Sequence, residues 1–236
     1  MWQALYNSPL HHPLASWLAT AALALWLWRA GSVLARPLRL FLAWFCLEMA
    51  VDALWTGGWS PVSAGHPLQQ PVAILWVILG DYRFFALGEL QRAGYRRGWW
   101  TGLAWTLVVP VLHGLCIRLL PALFADVRVI FLAYELAQAA MVALWWSLRG
   151  RGLEGLQRDW LGAVTAFELV QYLGWAGADV VILSGVEQGH GLRMVPNLMY
   201  YAGFLALVAW LAPRVTGEGV LGHPQHTAPT AQKRTA

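Results

Sequence analysis

Seven apolar segments dominate this chain and restrict it to a helical fold within a bilayer. A hydrocarbon core about 30 Å thick needs roughly 20 apolar residues per helix, which rises about 1.5 Å per residue. The predicted spans are Leu14–Trp28, Pro37–Trp55, Pro71–Leu90, Trp99–Leu119, Arg128–Leu148, Trp160–Leu183 and Pro196–Leu211. Because lipid offers no hydrogen bonds to the backbone, we expect an all-α polytopic membrane protein, a single bundle of seven transmembrane helices.

The composition excludes a soluble domain and a nucleic-acid partner. Hydrophobic residues make up 58% of the chain and Asp, Glu, Lys and Arg only 12%, whereas about a quarter of a soluble domain is charged. The net charge is +4, but every basic residue except Lys233 is an arginine, mostly in short turns and flanks. This distribution leaves no basic, aromatic-rich soluble surface for nucleic acid, so the lipid bilayer is the expected partner.

The distribution of basic residues predicts the orientation. Twelve lie in the odd-numbered connections and the tail: Arg29, Arg36, Arg39, Arg92, Arg96, Arg97, Arg149, Arg151, Arg158, Arg214, Lys233 and Arg234. Three lie in the even-numbered connections: Arg118, Arg128 and Arg193. Since positive loops stay cytoplasmic, we expect the N-terminus outside and the C-terminus in the cytoplasm of a bacterial inner (plasma) membrane. Residues 1–212 would form the seven-helix transmembrane domain and residues 213–236 a polar, disordered cytoplasmic tail.

Ionisable residues inside these spans are the candidate functional site. Five carboxylic acids lie deep inside the spans, away from the span ends, with Arg83 as the lone cation predicted at similar depth. The acids are Glu48, Asp52, Asp81, Glu135 and Glu168. Charged groups in hydrocarbon are costly and mark functional sites by default. We expect Arg83 to pair with Glu168, which leaves about four acids that must be protonated, hydrogen-bonded or bound to something positive.

The leading hypothesis is an intramembrane site that binds or translocates a proton, a cation or a small polar ligand. Its predicted members are Glu48, Asp52, Asp81, Arg83, His113, Glu135, Glu168 and Gln171. Asp81 and Glu135 would be central charge acceptors, and Glu48 and Asp52 an outer relay. A further alternative is a non-catalytic membrane scaffold, in which the acids form only interhelical hydrogen bonds.

Several cofactor chemistries lack the residues they need. A retinal Schiff base requires a lysine in the last span, but Lys233, in the tail, is the only lysine. A zinc site needs several ligands at one depth, and His113 is the only histidine inside a predicted span. No metal site is therefore predicted, and the sequence identifies no cofactor.

A short motif supports an enzymatic alternative. The segment Leu79-Gly80-Asp81-Tyr82 is similar to part of the GxGD motif of intramembrane aspartyl proteases, although Ile78 replaces the first glycine. In that family two aspartates share a proton and activate water. The resemblance covers about ten residues, and we do not assign the chain to the family. It implies a membrane-embedded hydrolase of lipid or peptide with Asp52 and Asp81 as catalytic residues.

Overall fold

The computed structural model describes residues 1–30, 34–62 and 65–212, and these residues form helices with no β-strand. The helices are α1 (Trp2–Tyr6), α2 (Ala15–Ala30), α3 (Arg36–Thr56), α4 (Gln69–Leu119), α5 (Val127–Arg149), α6 (Gly155–Leu183), α7 (Gln188–Leu198) and α8 (Phe204–Leu211). A π-helical turn, Leu10–Leu14, leads into α2, and another, Met199–Gly203, joins α7 to α8. The all-α prediction is confirmed for this part of the chain. The predicted tail, 213–236, lies outside the described residues.

Four helical segments are long and apolar enough to cross a membrane: Gln69–Leu119, Val127–Gly152, Gly155–Leu183 and Gln188–Leu211. They indicate an integral membrane protein. Two predicted spans fall outside this set for physical reasons. Helix α2 has only 16 residues, and α3 carries two arginines and two acids that lower its hydropathy. The count of seven and the orientation stay predictions.

Helix α4 contains two of the predicted spans and is interrupted between them. Gly94 has φ 76°, a left-handed conformation that glycine adopts without a Cβ clash. The chain folds back at this residue. The evidence is the close approach of the two limbs: a Cβ on Gly98 would lie 2.6 Å from Cα of Leu90, and one on Gly102 would lie 2.8 Å from Cα of Ala86. The two limbs, 69–93 and 95–119, therefore form an antiparallel hairpin whose backbones touch at small residues, as in many membrane helix pairs.

The last membrane-spanning segment begins earlier than its apolar pattern predicts. Our prediction of a start at Pro196 is wrong, since α7 begins at Gln188. Arg193 is included in this helix and is only 7% exposed. A hydropathy pattern ends a span at such a residue, but buried ion pairs with other helices compensate its charge.

Close packing in the α4 hairpin leads to the first prediction. Replacing Gly102 by Ala places a methyl group against backbone atoms that cannot move aside, which costs about 1–3 kcal/mol of unfolding free energy. Gly114→Ala is the matched control in the same limb, because nothing lies within 4 Å of its added Cβ. The measurement is denaturant unfolding of both variants in detergent micelles. Equal stability of the two variants would show that the limbs do not pack in this way.

Candidate functional site

Asp81 is the most completely hydrogen-bonded acid in the bundle interior. It lies on the first limb of α4 and is 4% exposed. One carboxylate oxygen accepts hydrogen bonds from the Tyr134 hydroxyl and the Gln138 amide of α5, both at 2.5 Å. The other oxygen accepts from the Tyr172 hydroxyl of α6. Three donors from two helices thus replace the water that this carboxylate loses on burial.

Arg83 lies two residues further along α4 and is completely buried. Its Nη1 donates to the Tyr200 carbonyl at 2.6 Å and contacts the Met49 sulfur at 3.1 Å. The guanidinium carbon lies 4.3 Å from the ring centre of Tyr200 and 4.5 Å from that of Phe204, within cation–π range. Its predicted partner, Glu168, has Oε1 3.9 Å from Nε, an ion-pair distance without a hydrogen bond.

Glu48 and Asp52 lie one turn apart on the inward face of α3, and they differ in hydrogen bonding. Asp52 accepts a hydrogen bond from the Thr56 hydroxyl at 3.0 Å. Neither oxygen of Glu48 has a hydrogen-bond partner among the described residues, although both are buried. Glu48 nevertheless lies within electrostatic reach of Asp52, Arg83 and Asp81. Glu48 is thus a buried acid, close to other charged groups, whose oxygens form no hydrogen bond within the described chain.

Other polar side-chain atoms of the bundle interior are also buried without a hydrogen-bond partner in the described chain. Within residues 1–30, 34–62 and 65–212, Arg83 Nε and Nη2, Glu168 Oε2, Gln138 Oε1 and both amide atoms of Gln171 are buried without a hydrogen-bond partner. Native proteins leave few such atoms, and each usually bonds to water, an ion or a ligand. We define the central cluster as Glu48, Asp52, Asp81, Arg83, Glu168 and Gln171.

Glu135 lies in a separate ion-pair network and not in the central cluster. Arg193 of α7 contacts Glu135 at 2.8 Å and Asp179 of α6 at 2.5 Å, and Arg128 lies 3.3 Å from the same Asp179 oxygen. Arg193 also donates to the Tyr6 hydroxyl at 3.2 Å, which ties α1 to the bundle. Arg193 is buried as well, so Arg83 is not the only arginine that this part of the chain buries against acids.

Glu89 is a buried acid that the sequence analysis missed. It is 0% exposed and accepts hydrogen bonds from the Trp145 indole at 2.9 Å and the Thr101 hydroxyl at 3.2 Å. Arg92 and Arg149 lie 3.5 and 3.6 Å from its two oxygens. It lies one residue before the predicted span end at Leu90, so the sequence pattern alone does not distinguish it from a residue at the membrane interface.

The remaining predictions concern His113 and the aspartate pair of the hydrolase alternative. His113 is half-buried, with its ring centre 5.4 Å from that of Tyr134, the residue that donates to Asp81. Asp52 and Asp81, the pair required by the hydrolase alternative, have different partners, and no hydrogen bond joins them in the described part of the chain. The described residues also contain no group of three or more His, Cys, Asp or Glu that could hold a metal ion.

A polar contact set connects the cluster to the surface at the Thr56 end of α3. His12, in the turn before α2, has Nε2 3.0 Å from the Thr56 hydroxyl and 3.4 Å from the Tyr201 hydroxyl. Burial, with a smaller contribution from neighbouring His11, lowers the pKa of His12 to about 4. The ring is therefore neutral near pH 7.

No protein family, curated protein or solved structure matches this chain. Its function is therefore inferred from the geometry and chemistry of the site.

The contacts of Arg83 lead to the second prediction. Arg83→Met leaves the acids of the central cluster without their cation, so we expect a loss of about 3–5 kcal/mol of unfolding free energy. Adding Glu168→Gln should restore part of that loss, because it removes a carboxylate that the first change leaves unpaired. Denaturant unfolding in micelles measures both effects.

Arg118→Met, at an exposed position of the same helix, serves as the control and should change stability little. Strictly additive effects of the Arg83 and Glu168 changes would contradict an interaction between the two side chains.

The lowered pKa of His12 leads to the third prediction. Between its ordinary value of 6.5 and about 4, the unfolded chain binds a proton that the folded ring does not. The stabilisation is therefore fully present above pH 6.5 and is lost as pH falls towards 4. His12→Gln should flatten the dependence of the melting temperature on pH in this window. His66→Gln, at an exposed loop position, is the control, and an unchanged slope in His12→Gln would refute the assignment.

Proposed function

We propose that this chain is a bacterial-type inner-membrane protein whose central cluster binds and translocates a proton or a small cationic ligand. The observation that carries the proposal is Glu48, an acid buried at 4% exposure with neither oxygen bonded within the described residues. Its surroundings are polar and charged, with Asp52, Arg83 and Asp81 in electrostatic reach. Such a group is suited to exchanging a proton or a cation.

The charge balance of the cluster supports this proposal. Four buried acids, Glu48, Asp52, Asp81 and Glu168, surround one buried guanidinium, that of Arg83. If all four were ionised, three negative charges would stay uncompensated in a medium of low dielectric constant. The cluster therefore needs bound protons or a bound cation to be stable. A site that must hold positive charge can release it when its access or its surroundings change.

Hydrogen bonding alone does not explain these acids. Interhelical hydrogen bonds in membranes average well under about 1 kcal/mol, which is a small return for burying an ionisable group. Asp81 does have a complete structural set of partners in Tyr134, Gln138 and Tyr172. Glu48 lacks such a set in the described residues, so a purely scaffolding role accounts for Asp81 but not for Glu48.

The seven-helix topology is part of the proposal and has two supports. The hairpin at Gly94 divides α4 into two limbs, each longer than the roughly 20 residues a span needs. Helix α3 exposes apolar side chains and buries its acids, the reverse of a helix facing water. Its exposed residues are Leu40, Trp44, Leu47 and Val51. Contact with lipid explains this apolar face. Together with α2, the proposed number of membrane-spanning helices is then seven, with the N-terminus outside.

Proton flux tests the proposed function and gives the fourth prediction. Purified protein is reconstituted into liposomes that contain a pH-sensitive dye, and a pH gradient is imposed with the membrane potential clamped. Glu48→Gln keeps the side-chain shape but cannot release a proton, so we expect the flux of the wild type to be abolished. Glu154→Gln, at an exposed position at the start of α6, is the matched control and should keep full flux.

The same assay with a gradient of Na⁺, K⁺ or a small organic amine, in place of the pH gradient, distinguishes proton transport from transport of a cationic ligand. Flux that is equal in the wild type, Glu48→Gln and empty liposomes for every ion would leave the scaffold as the better account. Cleavage of a lipid or peptide, abolished by either Asp52→Asn or Asp81→Asn, would instead favour the hydrolase.

A further inference from the structure

A continuous set of polar contacts runs from the Thr56 end of α3 towards Glu48. Nε2 of His12 lies 3.0 Å from Oγ1 of Thr56, and that hydroxyl lies 3.0 Å from Oδ1 of Asp52. The Tyr201 hydroxyl closes a triangle, at 3.4 Å from the same His12 nitrogen and 3.5 Å from Thr56. On the other side of the ring, Nδ1 of His12 lies 3.4 Å from the Ser16 hydroxyl.

The same contacts cross from exposed to buried surroundings. Thr56 is exposed and His12 is half-buried, whereas Asp52 is 3% and Glu48 is 4% exposed. Asp52 and Glu48 are four residues apart, so they lie one above the other on a single helix face. From Thr56 the route therefore passes from an exposed to a buried part of α3. The route ends at Glu48, the acid that lacks a partner in the described chain.

We infer that His12 and Thr56 form the entrance by which protons reach Asp52 and then Glu48 from the side of the membrane predicted to be outside. This inference rests on the proposed function and adds to it the residues of access. Of the predicted site residues, only Asp52 and Glu48 lie on this route, and His12 and Thr56 are new.

The transfer is balanced when His12 starts as the neutral tautomer with its proton on Nε2. An incoming proton binds Nδ1 while the Nε2 proton passes to the Thr56 oxygen. The original hydroxyl proton of Thr56 passes at the same time to the carboxylate of Asp52. His12 is neutral again in its other tautomer, Thr56 is again a hydroxyl, and Asp52 has become a carboxylic acid.

The groups around His12 favour this role. His11, on its own segment, and Tyr201, on the turn before α8, face the ring directly, and Asp52 of α3 faces it through Thr56. Burial is the main cause that keeps the pKa of His12 low, so the ring is neutral and does not hold the protons that it receives. A neutral imidazole between two hydroxyl groups is suited to passing protons on.

Proton flux in the liposome assay tests the entrance with isosteric variants. Thr56→Val removes the hydroxyl that links His12 to Asp52 and should lower the flux by about a hundredfold, the lower end of what a positioned proton-transfer group contributes. Thr56→Ser keeps the hydroxyl and should keep the flux. Thr106→Val is the matched control, because among the described residues the Thr106 hydroxyl donates only to the Gly102 carbonyl of its own helix. Gel filtration and circular dichroism verify that each variant is folded.

His12→Gln gives a second, independent variant, since an amide occupies a similar volume but does not shuttle protons. Loss of flux in Thr56→Val and His12→Gln, with flux retained in Thr56→Ser, would support the entrance. Full flux in either folded variant, while Glu48→Gln is inactive, would overturn the entrance and leave the proposed function intact. No proton flux in the wild type would overturn the entrance, whereas the proposed function would fall only if Na⁺, K⁺ and the organic amine also gave no flux that depends on Glu48.

Discussion

Desolvation of charge is the constraint on which the arrangement of this bundle depends. An ionised group moved from water into a protein interior loses several kcal/mol of solvation, and lipid offers nothing in return. Asp81 is compensated by three hydrogen bonds: Tyr134, Gln138 and Tyr172 donate to its two carboxylate oxygens in place of water. These contacts also fix α4 against α5 and α6, so compensation of one acid orders three helices.

Three polar groups in the bundle differ in how fully they are compensated. Glu89 is bonded to an indole and a hydroxyl and has two guanidinium groups within 4 Å. Glu135 and Asp179 share the charge of Arg193. Both groups resemble structural clamps, because opposite charges meet directly. The central cluster has more acids than cations and contains buried atoms unbonded within the described residues, which is why we assign function to it.

Individual residues show how far the sequence could predict this site. Depth along a helix follows from the 1.5 Å rise per residue. The sequence therefore predicts Glu168 as the partner of Arg83, and its Oε1 lies 3.9 Å from Nε of Arg83. The rotation of a helix about its own axis relative to its neighbours does not follow from the sequence in this way. Glu135 was for that reason grouped with Asp81, whereas the rotation of α5 directs it to Arg193. Glu89 and His12 were missed because their partners are far away in sequence.

The sequence by itself determined the environment and the secondary structure. Long apolar segments with few charges are stable only as helices in lipid, and this follows from composition and local hydrogen bonding alone. Only the tertiary structure decided which buried acids meet a cation, which meet hydroxyl groups and which meet neither. That outcome depends on helix rotation and on close approach at residues such as Gly98 and Gly102, which result from packing between segments distant in the chain.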